Sequence, residues 1–130
     1  MARTLLLVVL FLALLLELVL AGGSFFAPAF TLAKFGTKYG PDTAFLTYVL
    51  GWLLLLVSGA VLVAFGQVWQ RRPGYATWCY LLGLWWLAIG VGIYYTFGKP
   101  GNLALDSLKG LLIVVLTWRC QVSRSMVRRY

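Results

Sequence analysis

Histidine is absent from this chain, and only three residues are acidic. Without histidine, a histidine-held haem is excluded, and so are the usual zinc, copper and non-haem iron sites that depend on imidazole. No nucleophile stands with a base, so an enzyme is hard to build from these residues and no catalytic residue is assigned. Cysteine is scarce too: Cys79 and Cys120 lie far apart and read as separate, reduced thiols near one face of a membrane. Charge of either sign is thin. A soluble domain of this size needs about a quarter of its residues charged, whereas here 11% are charged and 62% hydrophobic. The remaining solvent is the bilayer.

The net charge of +8 comes from basic residues placed in the gaps between apolar runs. That placement controls membrane topology and does not make the polar basic face that nucleic acid requires, so no nucleic-acid partner is expected. Four runs are apolar enough to span, at about 5–24, 44–66, 75–97 and 103–119. Met1-Ala2-Arg3 before the first run also looks like the start of a signal peptide ending near Val19-Leu20-Ala21. Glu17 interrupts the apolar stretch, and the segment reads as a retained helix. All seven arginines then fall on one side and the four lysines on the other or in its outer half, which orients both termini to the cytoplasm.

The expected fold is an all-α membrane protein, a four-transmembrane-helix up-down bundle forming one domain over 1–130, with 120–130 as a basic cytoplasmic tail. Arg71-Arg72-Pro73-Gly74 and Gly98-Lys99-Pro100-Gly101-Asn102 are tight connections between antiparallel neighbours. The first outer connection is longer and apolar, with Pro28 opening a short interfacial helix through Lys34 that Gly36 ends. It serves either as a surface anchor or as a lid over the bundle mouth. For helix packing, Ala76, Gly83 and Gly90 recur at seven-residue spacing, as do Gly51 and Ser58. Trp69, Trp78 and Trp118 fall at the inner boundary, whereas Trp85 and Trp86 are mid-span and face lipid, a neighbouring helix or a partner.

Ionisable groups inside the spans are the strongest functional pointer, since each costs roughly 2.5–3.5 kcal/mol at the centre of a helix. Glu17 and Lys109 lie at matched depth below the outer surface, about 6–10 Å by helical rise, and form an expected ion pair between the first and last helices. Asp106 is three residues from Lys109 on the same face. With Tyr48, Tyr94 and Tyr95 they make an expected outer-half polar cluster. Two meanings compete: a structural strut, or a pocket in which Glu17 binds a ligand or a proton. A glutamate in the first of four short helices is similar in placement to the small multidrug transporters. The surrounding Leu14-Leu15-Leu16-Glu17-Leu18-Val19 departs from their pattern, and the matched lysine argues against a freely titrating carboxylate.

Phe25-Phe26-Ala27-Pro28, then Phe35-Gly36, Asp42, Gly51 and Gly59, with Asp106 after a Gly/Pro turn, resemble the DoxX-like superfamily, including its BphX-like group. The resemblance covers most of the chain through spaced small residues and hydropathy. It implies a four-helix bundle and, for some relatives, association with membrane oxidoreductases that handle quinones or sulfur compounds. It brings no catalytic residues, because no redox motif is present to receive them.

The leading expectation is a non-catalytic accessory subunit of a larger membrane complex, in a bacterial cytoplasmic membrane. Its partners are lipids and either other subunits or further copies of itself. No intrinsic cofactor is expected, though the mid-span aromatics suit a bound lipid, quinone or carotenoid. The alternative is a binder or transporter of a small lipophilic or cationic molecule, using a pocket around Glu17.

Overall fold

A computed structural model describes residues 1–127, and every apolar run in it is helical. The elements are α1 (Ala2–Phe26), α2 (Pro28–Lys34), α3 (Pro41–Trp69), α4 (Tyr75–Phe97) and α5 (Pro100–Val127). Helices α1, α3 and α4 are each long and apolar enough to cross a membrane. Their outward faces carry leucine, valine and aromatic side chains such as Leu12, Val19, Trp52, Leu56 and Leu81. Such surfaces belong in contact with lipid.

Proline and a few polar groups set the helix ends. α3 and α5 begin at Pro41 and Pro100, about one turn before the apolar runs that announce them. Proline at the first helical position has its φ already set and lacks only an N–H that would have had no partner, so the helix starts there. The Gly40 N–H donates to Thr43 Oγ1 at 2.9 Å, which secures the start of α3. α2 ends in paired backbone bonds, Thr37 N–H to the Leu32 carbonyl and Gly36 N–H to that of Ala33, with Gly36 at φ 74°. This is the left-handed helix stop that glycine adopts without a Cβ penalty. The same pair of bonds ends α3, from Arg72 to Gln67 and from Arg71 to Val68, but here the left-handed residue is Arg71 at φ 58°. A side chain in that conformation costs about 1–2 kcal/mol.

The stretch 120–127, expected as a tail beyond the last span, continues α5 as helix to Val127. After Gly110 the sequence offers neither glycine nor proline to stop it. Arg128 and Arg129, the last basic residues of that tail, lie outside the described residues. α1 likewise runs on to Phe26, which shortens the first connection to the residues around α2.

The four long helices form a ring in the order α1, α3, α4, α5, and α5 closes it against α1. Neighbours are antiparallel: Arg3 meets Val68 while Phe25 meets Trp52, and Tyr80 bonds Gln121 while Gly90 abuts Ser107. α4 packs most extensively on α5 and α1 on α3, whereas α3 and α4 touch over much less of their length. Close approach explains the first pairing. A Cβ on Gly83 would lie 3.0 Å from the Gly110 carbonyl oxygen, and one on Gly110 would lie 2.5 Å from that of Gly83. Gly90 abuts Ser107 in the same way, and Ala76, nearer the start of α4, is buried. Gly51 makes room for the Phe25 ring rather than for a helix backbone, and Ser58 is buried with its hydroxyl donating to the Leu54 carbonyl at 2.8 Å.

The core is an apolar stripe on each helix. On α1 it reads Leu6, Leu10, Ala13, Glu17, Ala21 and Ser24, the three-and-four spacing of one helix face. Cys79 is fully buried and Cys120 is half-buried against the same cluster, as separate thiols. Glu17 is the one acid on that inward stripe.

Candidate functional site

Glu17 is 4% exposed and faces two donors, one from the neighbouring α5 and one from α4 across the ring. Lys109 Nζ of α5 donates to Glu17 Oε1 at 2.9 Å, and the Trp86 indole Nε1–H of α4 donates to the same oxygen at 2.9 Å. Lys109 also holds Asp106 Oδ1 at 3.0 Å, one turn away on its own helix, and sits 4.3 Å above the Trp86 ring. Trp86, 2% exposed, reaches across the diagonal of the ring, since α1 and α4 have no close backbone approach among the described residues. The lysine is thus clamped by two carboxylates and the face of an indole.

The structure therefore brings Glu17, Asp106 and Lys109 together and leaves the three tyrosines elsewhere. Tyr48 is half-exposed and packs on Phe25, and Tyr94 and Tyr95 pair with each other on the outer surface of α4. The reason is axial position. Tyr94 lies eight residues beyond Trp86, about 12 Å further along the helix, so the indole occupies the carboxylate level and the phenol does not. Glu17 and Lys109 also sit deeper than the apolar runs imply. Each is nine residues from the end of its helix, Phe26 or Pro100, about 14 Å by helical rise.

Beside this cluster lies a cavity of about 380 Å³ where α3 and α4 diverge. Its walls are apolar, with Leu50, Leu53, Leu54 and Val57 of α3 opposite Trp85, Ile89 and Ile93 of α4. Its polar lining includes Glu17, Trp86 and Asp106, with Thr43 and Asn102. Leu32 and Phe35 from the α2 segment, with Thr37, reach its wall, and Phe35 packs on Phe97 with ring centres 6.1 Å apart. The short helix is thus folded over one end of the bundle. Both hydrogen bonds to Glu17 use Oε1; Oε2 accepts none among the described residues. Two carboxylates and one ammonium leave this wall with one surplus negative charge when all are ionised.

The volume falls in the range of small-molecule sites, which are mostly apolar with a few convergent polar groups. Among the described residues no group of three or more potential metal ligands assembles. Trp86, expected mid-span against lipid, a neighbouring helix or a partner, is the member that the sequence did not join to the polar cluster. Its spacing, three residues after Gly83 and four before Gly90, puts it on the same inward face as the small residues.

Compared with protein-family models, curated proteins and solved structures, the chain finds no match.

Proposed function

We propose that the protein binds a lipophilic cation in the cavity between α3 and α4, with Glu17 and Asp106 as its counter-charges. The observation that carries this reading is that two carboxylates in a cavity wall share one lysine. A cation entering the cavity finds an unmatched carboxylate oxygen and apolar walls that take its hydrocarbon part. A lipophilic anion meets the same walls but also the two carboxylates, which repel it.

The membrane setting follows from the same distribution of groups. α5 runs antiparallel against α4 from Ser107 to Gln121, so it crosses the same slab of lipid and becomes a fourth span. The arginine-bearing end, with Arg3, Arg71, Arg72 and Arg119, is the cytoplasmic one by the bias of basic residues. The ligand cavity then opens in the outer half, beneath α2. A role as accessory subunit draws support from outward aromatics such as Trp52, but lipid covers such a surface equally well. The DoxX-like resemblance bears on the bundle architecture alone.

The test uses two ions of matched shape and opposite charge, tetraphenylphosphonium and tetraphenylborate, in equilibrium dialysis against the full chain in neutral detergent. Saturable binding of the cation, with the anion excluded, is expected. Glu17→Gln weakens it at least tenfold, and Leu54→Trp, which fills the cavity without touching a charge, abolishes it. Equal binding of both ions, or cation binding unchanged in Glu17→Gln, overturns the proposal and returns the accessory role to first place.

A further inference from the structure

At the opposite end of the bundle a second cavity, of about 220 Å³, is lined by Arg3, Val68, Arg71, Tyr75, Cys120 and Ser123. We propose that it is a binding site for the phosphate headgroup of an anionic phospholipid. The site rests on the membrane setting and is independent of the cation cavity.

Charge segregation is the first argument. The chain's three acids are Glu17, Asp42 and Asp106. Asp42 opens α3, Asp106 lies in the first half of α5, and Glu17 faces Asp106's partner Lys109, so all three are remote from this cavity. The two ion pairs among the described residues both belong to Lys109. Among the described residues, then, Arg3 and Arg71 face no carboxylate, and an anion from outside the chain would balance them. Guanidinium groups recognise phosphate oxygens through paired N–H donors. Arg3 uses Nε and Nη2 on the Val68 and Trp69 carbonyls, at 3.2 and 2.7 Å, and the rest of its five donors have no partner among the described residues.

Backbone conformation is the second argument. Among the described residues three have positive φ: Gly36, Gly98 and Arg71. At two of these helix ends the chain uses glycine, the residue that takes the conformation without strain. At the third, which borders the cavity, it keeps an arginine. The strain is retained where the side chain lines an anion-sized pocket with no carboxylate among its described lining residues. Ser123 adds a hydroxyl, and Val68 gives an apolar wall beside which an acyl chain can descend along α3.

Thermal unfolding of the full chain in neutral detergent, paired with native mass spectrometry, tests this with phosphatidylglycerol, phosphatidylcholine and inorganic phosphate as probes. Phosphatidylglycerol is expected to raise the midpoint and to remain as a single retained adduct, with phosphatidylcholine doing neither. Arg71→Gly should unfold no earlier than wild type without lipid, yet lose most of the phosphatidylglycerol increment and the adduct. Arg119→Gln, which removes a basic group outside the cavity lining, should keep both. Equal effects of the two lipids, or equal losses in the two variants, overturn the site. A shift reproduced in full by inorganic phosphate overturns the lipid as its source.

Discussion

Removing Lys109 should damage this protein far more than removing the glutamate it pairs with. The lysine serves two carboxylates, at 2.9 and 3.0 Å, with its side chain 11% exposed. Lys109→Met deletes both charge-assisted bonds and leaves Glu17 and Asp106 facing each other in a low-dielectric setting. Breaking a buried ion pair by removing one partner costs about 3–5 kcal/mol, chiefly through the uncompensated charge left behind. Glu17→Gln is different. The amide oxygen still accepts the Trp86 N–H, and Lys109 keeps Asp106, so no charge is stranded. The loss is the difference between a charge-assisted and a neutral hydrogen bond, about 1–2 kcal/mol. Reversible unfolding in mixed micelles, with both variants and the double variant, gives the order and the coupling energy. If Glu17→Gln is as damaging as Lys109→Met, the lysine is not the shared cation and the argument fails.

Other expectations follow from packing and accessibility. Gly83→Val should destabilise the α4–α5 pair by several kcal/mol, because the new side chain meets the Gly110 carbonyl, whereas Gly59→Ala, whose Cβ meets nothing within 4 Å, should be near neutral. Thermal midpoints in detergent separate them. Trp86→Phe should cost about 1–3 kcal/mol, since Glu17 loses a buried donor, and Trp85→Phe, at 41% exposure, should cost under about 1 kcal/mol. N-ethylmaleimide should label Cys120 in the folded protein and spare the fully buried Cys79, as read by peptide mass; labelling of both at equal rates would contradict the core packing.

The sequence is most informative where one residue type has one structural meaning. Pro28 and Gly36 bracket α2, and the helical period alone puts Asp106 beside Lys109. Boundaries at Pro41 and Pro100 come out about one turn late, because the apolar run is a weaker marker of a helix start than the proline before it. Gly110 escapes a search for seven-residue stripes, since Leu103 and Thr117, its heptad neighbours, are not glycines. The spacing of Gly110, Ile113 and Thr117 does mark its inward face. The cavity has no local signature at all. Leu50, Leu54, Ile89 and Ile93 look like any core residues, and they line a space where α3 and α4 touch over little of their length while α4 packs closely on α5 at Gly83.

Asp106 separates a strut from a binding site. A helix-to-helix ion pair needs one carboxylate to neutralise Lys109, and Glu17 supplies it. The second carboxylate adds a charge that costs roughly 2.5–3.5 kcal/mol at mid-helix on insertion scales, somewhat less nearer the surface. A purely structural device gains little from that expense, while a cation site needs the surplus. Asp106→Asn should therefore unfold within about 1 kcal/mol of wild type, or above it, since Lys109 keeps Glu17 and gains a neutral acceptor. The same variant should bind tetraphenylphosphonium at least tenfold more weakly. Stability retained while the ligand is lost is the signature of a residue kept for binding. A variant that loses stability as Lys109→Met does, with ligand affinity following it down, would assign Asp106 to the strut and leave Glu17 without a site to serve.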